Sequence, residues 1–246
     1  MQDIFTVAGK SVFITGASRG IGKAIALAFQ KAGARVTGLG SRPESVDWMA
    51  DSGITPLVGD VADPDFMPGA IEQVIKHHGT IDCLINNAGV NANVPASSTK
   101  DETFQHLLDV NVRGLFRACQ AYYKARRKEG GVIINVASIA GFIAAPLNTA
   151  YSATKGAVLQ LTRSLAVEWA GSNFRVNAIC PGIIDTDMSA RVTGSEGNRA
   201  KAEAFIPMKR IGKPEELVGA ALFLASEASS YMTGQLIVVD GGVSAQ

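Results

Sequence analysis

Three side chains suited to moving a proton lie close together: Tyr151 follows Ser138 by thirteen residues, and Lys155 follows Tyr151 by four. A phenol has a reference pKa near 10, too high for rapid proton exchange at neutral pH. Four residues make about one helical turn, so Tyr151 and Lys155 share a face, and an ammonium there favours the phenolate. Bringing the phenol to about 7 takes roughly 4 kcal/mol of differential stabilisation. Ser138 is placed to hold a substrate oxygen and to stabilise a developing oxyanion. Such a set can reduce a carbonyl or oxidise an alcohol, provided that something carries the hydride.

The carrier's site is written earlier in the chain, in Thr15-Gly16-Ala17-Ser18-Arg19-Gly20-Ile21-Gly22. Glycines at 16, 20 and 22 permit a sharp turn, and the helix opening near Ile21 points free N–H groups at an anion. Gly16, Ser18, Arg19, Ile21 and Gly22 are therefore assigned to a dinucleotide diphosphate. The spacing is GxxxGxG rather than GxGxxG, and no Gly-Lys-Ser/Thr ending points to a nucleotide triphosphatase. A carboxylate reading a ribose diol belongs near position 40, where this chain has Gly40-Ser41-Arg42. Arg19, Ser41 and Arg42 can instead hold a 2′-phosphate, which favours NADP(H) over NAD(H). The plainer alternative makes Arg42 a solvent-facing loop residue. Asp60 and Val61 are expected at the adenine, unless Asp60 only caps the next segment. In Asn86-Asn87-Ala88-Gly89, residues 87, 88 and 89 are expected near ribose and adenine. The asparagines can also brace adjoining strand ends, Asn86 more than Asn87. Asn111 falls inside a helix, where asparagine is unfavourable. It either bends that helix and holds a water against Lys155, completing a proton path, or is purely structural.

These residues need one rigid scaffold. The 246 residues suffice for a full-sized core, and no linker or charge block divides them, so a single domain over 1–246 is expected. The elements alternate. Strands are expected at 11–15, 35–39, 55–58, 81–86, 132–136, 175–179 and 237–239. Helices are expected over 21–33, after Pro43, and over 67–77, 101–125, 151–169 and 214–226, the last with proline in its first turn. Such βα units with continuous apolar strands imply an α/β fold: a doubly wound, mostly parallel seven-stranded sheet with helices on both faces. Ligands of such sheets gather beyond the carboxyl ends of the strands, where every reactive candidate falls.

A net charge of +1, from 23 Lys+Arg against 22 Asp+Glu, gives no case for nucleic acid or an anionic membrane. The basic run 124–128 reads as a solvated helix end. Met1 to Gly9 lacks the basic start and apolar stretch of a signal peptide, and no apolar run approaches the roughly 20 residues that span a bilayer. The three cysteines, Cys83, Cys119 and Cys180, form no metal motif and read as buried thiols of a cytoplasmic protein. His77, His78 and His106 do not gather with them. Asp60, Asp63 and Asp65 suit turns better than a cation, so no metal is expected.

With TGASRGIG at 15–22, NNAG at 86–89, Asn111, Ser138, YSATK at 151–155, PG at 181–182 and VDGG at 239–242, the chain resembles the short-chain dehydrogenase/reductase family, in its small single-domain branch. The resemblance spans Lys10 to Gly242. It implies a Rossmann-like fold and a catalytic tetrad of Asn111, Ser138, Tyr151 and Lys155, with Tyr151 and Lys155 also meeting the cofactor. It places Pro181, Gly182, Ile184 and Thr186 at the nicotinamide, with the Ile184 backbone on the carboxamide. It implies a homotetramer packed through the helices that carry Asn111 and Tyr151, with a dimer as alternative.

The substrate pocket is expected from Ser138 to Asn148, Ile183 and a lid near 188–207. The run from Ile139 to Leu147 is largely apolar, which fits a hydrophobic or 3-oxoacyl-type ketone unless those side chains face the core or a partner. Asn93 and Asn148 can bind hydroxyls. Arg191, Arg199 and Lys201 either solubilise the lid or meet an anionic tail. The competing expectations are an NAD-dependent sugar, polyol or alcohol dehydrogenase and, from a different class, a non-catalytic dinucleotide sensor.

Overall fold

The computed structural model describes residues 3–246, apart from the side chains of Arg191 and Val192. Met1 and Gln2, and the expected contact of Arg191 with an anionic tail, lie outside the described residues. The chain runs β1 (Ser11–Thr15), α1 (Gly20–Lys31), β2 (Arg35–Gly40), α2 (Asp47–Asp51), β3 (Thr55–Val58), α3 (Phe66–His78), β4 (Cys83–Asn86), α4 (Asp101–Leu108), α5 (Leu115–Arg126), β5 (Gly131–Val136), α6 (Thr149–Trp169), β6 (Phe174–Pro181), α7 (Ala190–Thr193), α8 (Glu196–Phe205), α9 (Val218–Ala225) and β7 (Leu236–Val239).

The seven strands form one sheet in the order β3-β2-β1-β4-β5-β6-β7, parallel throughout. Alternate side chains of a strand point to opposite faces, and here both faces are apolar. On one face Phe13, Leu84, Ile133 and Val176 pack with Met67 and Ile71 of α3, Tyr122 of α5 and Val158 of α6. On the other, Val12, Ile14, Ile85, Ile134 and Ile179 pack with Ile25 and Phe29 of α1 and Leu224 of α9. The central strands are therefore anchored from both sides, which fixes their register and their carboxyl ends.

The chain order reverses between β1 and β4, so the crevice lies beyond their ends. Two expected helices are subdivided. Between α4 and α5 the turns of Asp109–Gly114 are π-helical, so the expected helix over 101–125 carries a bulge at Asn111. The late helix opens as a 3-10 turn, Pro214–Leu217, before α9. Strand β6 is longer than expected, because pairing with both β5 and β7 supports it through Pro181. Among the described residues no helix is long and apolar enough to cross a membrane.

Candidate active site

Parallel strands bring the loops after β1, β2, β3, β4, β5 and β6 to one edge of the sheet. The glycine turn after β1 is held by Asn87. Its Nδ2 donates to the carbonyls of Gly16 at 2.8 Å and Thr15 at 3.2 Å. Thr15 Oγ1 in turn accepts from the backbone N–H groups of Asn87 and Ala88, both at 3.1 Å. The glycines are required sterically. Gly16 has φ +65°, and a Cβ there would sit 2.7 Å from Ala88 Cα; a Cβ at Gly22 would collide with the Gly16 carbonyl and Asn87 Nδ2.

The first α1 bond within the helix runs from Lys23 N to Arg19 O. The N–H groups of Gly20, Ile21 and Gly22 are thus left without helical partners, no side chain caps this end, and no acid stands in the first turn. Free donors, a positive helix end and missing acid together fit a dinucleotide diphosphate. Thr186 packs over the same turn, 3.2 Å from a Cβ built on Gly20, and Arg19 Nη1 lies 3.4 Å from Asp187 Oδ2. The segment from Pro181 to Asp187 therefore folds back across the glycine turn. Ile184 is buried and bridges Gly212, while Gly182 lets β6 approach Asp240, whose Cα would be 2.7 Å from an added Cβ.

At the end of β2, Gly40 has no room for a side chain: a Cβ would lie 2.8 Å from Ser45 Oγ and 3.3 Å from Ser18 Cβ. A carboxylate at that position is excluded by packing. Arg42 is exposed and 3.6 Å from Glu44. Asp60 accepts from Ala62 N at 2.9 Å, the capping geometry weighed as its alternative, and Asp63 accepts likewise from Asp65 N. The carbonyl of Val61 packs against Gly114 of the π-helical turn, 2.7 Å from an added Cβ.

Ser138, Tyr151 and Lys155 converge at the end of β5. The Ser138 hydroxyl accepts from Ala140 N at 3.1 Å and pulls the Tyr151 phenol toward a lower pKa. Lys155 Nζ donates to the Val136 carbonyl at 2.9 Å and lies 5.7 Å from the Tyr151 ring centroid. The expected lowering of the phenol is not what this geometry produces. Burial pushes Tyr151 up to about 12, with the Ser138 hydroxyl pulling the other way. Burial brings Lys155 down to about 8, opposed weakly by Cys180. Both groups are enclosed, so loss of water outweighs their mutual attraction.

Asn111 faces this cluster from the π-helical turn. Its Oδ1 accepts from Val90 N at 2.8 Å, and its Nδ2 donates to Val90 O at 2.9 Å and Thr154 Oγ1 at 3.1 Å. Both ends of the amide are thus committed to protein, and the side chain ties the loop after β4 to α6. A Cβ on Gly89 would lie 3.3 Å from Asn111 Oδ1 and 3.7 Å from Lys155 Nζ, so Gly89 keeps the space beside the ammonium open. Asn86 is structural as expected. Its Nδ2 donates to Asn135 Oδ1 at 2.9 Å, and Asn135 donates to Thr162 at the same distance.

Sequence reasoning missed Thr15 and Thr154. Thr154 accepts from Asn111 and donates to the Tyr151 carbonyl at 2.7 Å. A signal was present: Thr154 and Thr162 are polar residues on the buried stripe of α6. In the segment 188–207, Arg199 is bound to Asp185 at 3.0 Å and Glu203 at 3.2 Å, whereas Lys201 is exposed. Phe142, Leu147, Met188, Phe205 and Met208 are exposed apolar side chains of the loop after β5 and of the region around that segment.

A family model described as enoyl-(acyl carrier protein) reductase matches residues 16–244. The 3-oxoacyl-(acyl-carrier-protein) reductase of Thermotoga maritima is 39% identical over 243 residues, covering 96% of this chain and 98% of its own. The 2-(R)-hydroxypropyl-CoM dehydrogenase of Xanthobacter autotrophicus is 40% identical over 243 residues, covering 94% and 97%. Among solved structures, a gluconate 5-dehydrogenase from Burkholderia cenocepacia in complex with NADP and tartrate superposes with a TM-score of 0.94 at 32% identity, covering 99% of this chain and 98% of that one. Sequence match and superposition both extend along nearly the whole length, and the chain belongs to the short-chain dehydrogenase/reductase family of NAD(P)-dependent oxidoreductases.

Proposed function

We propose that this enzyme transfers hydride between nicotinamide C4 and a carbonyl or secondary alcohol, with Tyr151 as acid and base. The observation that carries the reading is the burial of Tyr151 and Lys155 together, the Lys155 ammonium held by the Val136 carbonyl 5.7 Å from the Tyr151 ring centre, at the strand edge that also holds the glycine turn. When bound, the nicotinamide supplies or accepts the hydride. In reduction the Tyr151 hydroxyl gives its proton to the substrate oxygen, which Ser138 holds; in oxidation Tyr151 takes the proton back. Lys155, fixed by the Val136 carbonyl, holds positive charge near the phenol and reaches the cofactor ribose. Asn111 and Thr154 position both helices around it.

NADP(H) is the favoured cofactor. Packing around Gly40 excludes the diol-reading carboxylate, and Arg19, Ser41 and Arg42 offer charge-assisted bonds to a 2′-phosphate. The relative from Burkholderia cenocepacia was solved with NADP. An NAD-dependent sugar, polyol or alcohol dehydrogenase is the second reading. It is favoured by the carboxylates already beside both arginines, Asp187 and Glu44. Fluorescence titration with NADPH and NADH separates the two. NADPH should bind at least about tenfold tighter, a difference near 1.4 kcal/mol; equal or tighter NADH binding overturns the preference.

For substrate, the exposed apolar side chains around the site favour a hydrophobic or 3-oxoacyl-type ketone, the group named in the Thermotoga maritima relative. The segment 188–207 acts as its lid. Val167 of α6 is 83% exposed, a surface suited to the homotetramer, and the three buried unpaired thiols suit the cytoplasm. Turnover of any carbonyl excludes the sensor alternative.

A further inference from the structure

The loop after β4 and the start of α6 meet in a polar contact. Asn91 Nδ2 donates to Asn93 Oδ1 at 3.2 Å and to Asn148 Oδ1 at 3.4 Å, the second bond being stretched. Asn91 Oδ1 is buried and has no partner. Asn148 is the N-cap of α6, yet its side chain makes no capping bond; an asparagine in that place ordinarily accepts from its own helix. It is instead turned to Asn91. The preceding residue supports the turn at a cost. Leu147 has φ +66°, a conformation that leucine rarely adopts, and its carbonyl accepts from Val94 N at 3.1 Å. Two loops 57 positions apart in sequence are thus clasped so that two amides face each other over a long bond.

Asn148 stands three residues, or roughly 4.5 Å of helix rise, before Tyr151. Next to Asn91, Val90 is clasped by Asn111. The amide pair therefore joins the N-terminal end of the helix that carries Tyr151 to the loop whose Gly89 borders the Lys155 ammonium. A hydroxyl is both donor and acceptor. As the two side chains part to admit it, the hydroxyl accepts from Asn91 Nδ2 and donates its one proton to Asn148 Oδ1, replacing one stretched bond by two ordinary ones.

We infer that Asn91 and Asn148 form a hydroxyl-reading subsite, and that the preferred substrate is a ketone carrying a hydroxyl one or two carbons from the reacting carbonyl, with an apolar remainder. This inference rests on the proposed carbonyl reductase reading and narrows it: a plain alkyl ketone or a 3-oxoacyl chain presents no donor at that distance. Asn91 and Asn148 are specificity residues and take no part in proton transfer.

The test compares 2-octanone with 1-hydroxy-2-octanone and 4-hydroxy-2-octanone in NADPH- and NADH-dependent reduction by the full enzyme. One hydroxyketone should exceed 2-octanone in kcat/KM by at least about tenfold, through KM more than kcat, because a site built to bond a hydroxyl discriminates against its absence. In Asn91→Leu, and independently in Asn148→Ala, that ratio should fall below about twofold. Far-ultraviolet circular dichroism and NADPH titration show whether each variant is folded, and the pair guards against failure of either one. Equal kcat/KM for all three ketones in the wild type overturns the subsite while leaving the reductase reading intact. A preference that survives in a folded variant overturns the assignment to these residues. No reduction of any of the three with either cofactor overturns the reductase reading and the inference together.

Discussion

Replacing Lys155 by methionine should make the protein more stable at neutral pH while removing its activity. The ammonium is buried, donates to the Val136 carbonyl at 2.9 Å, and is brought by burial from 10.5 to about 8. The sign follows from proton binding. Between about 8 and 10.5 the folded state binds fewer protons than the unfolded state, so stability rises with pH through that window. Below about 8 both states hold the proton, and the folded state bears the full cost of the buried charge. A shift of about 2.5 units corresponds to about 3 kcal/mol.

Methionine fills a similar volume without a charge, but it leaves the Val136 carbonyl without its donor, which costs about 1–2 kcal/mol. The net expectation at pH 7 is a gain of about 1–2 kcal/mol. By pH 9.5 the wild type has shed about 2 kcal/mol of its penalty, and the gain should vanish or reverse. Urea unfolding at fixed protomer concentration, without added cofactor and at both pH values, measures this directly. A variant less stable than wild type at pH 7, or a gain that does not shrink with rising pH, would refute the claim that the site holds a charged lysine against its solvation energy.

Tyr151→Phe should keep NADPH affinity within about threefold while lowering kcat by at least about a hundredfold, the range of general acid–base catalysis; near-normal turnover in steady-state assays would remove Tyr151 from proton transfer. Gly22→Ala should weaken dinucleotide binding and lower stability by about 2 kcal/mol or more, because its Cβ meets the Gly16 carbonyl and Asn87, whereas Gly197→Ala, with no atom within 4 Å, should be neutral or stabilising in the same thermal melts. Reductive kcat/KM should be level near neutrality and fall above about 8 as Lys155 loses its charge; a profile still flat at pH 9.5 would show that the charge is dispensable.

The sheet was legible because its signals are local. Strand runs such as Val12–Ile14 and Ile133–Ile134 are apolar on both faces, and the glycine turn spans eight residues, 15–22, whose spacing alone states that backbone must approach something. Tyr151 and Lys155 were legible because helical spacing fixes their common face. What escaped was set by contacts between distant segments. Thr15 holds the loop at Asn87 and Ala88, some seventy positions away, and nothing near Thr15 signals that task. Asn111 was readable as an intruder in a helix. That its amide would be spent on Val90 and Thr154 depends on where two other elements pass. The charge pairs escaped for the same reason: Arg199 looks like a free cation until Asp185 and Glu203 are placed beside it.

The direction of the Tyr151 shift bears on how the site is poised. With Tyr151 near 12 and Lys155 near 8, both carry their protons at pH 7. The phenol proposed to donate in carbonyl reduction is thus already protonated. The reverse reaction needs the phenolate, and forming it at pH 7 from a group near 12 costs about 7 kcal/mol. Lys155 cannot offset that alone: it spends one bond on Val136 and stands 5.7 Å from the ring centre. Ser138 pulls the phenol the other way, an influence that grows as the phenol oxygen gains charge. Burial therefore holds the phenol in its protonated form at rest, the form that the proposed reduction uses, while rising pH favours the phenolate. The motif alone is symmetrical between the two directions; burial breaks the symmetry.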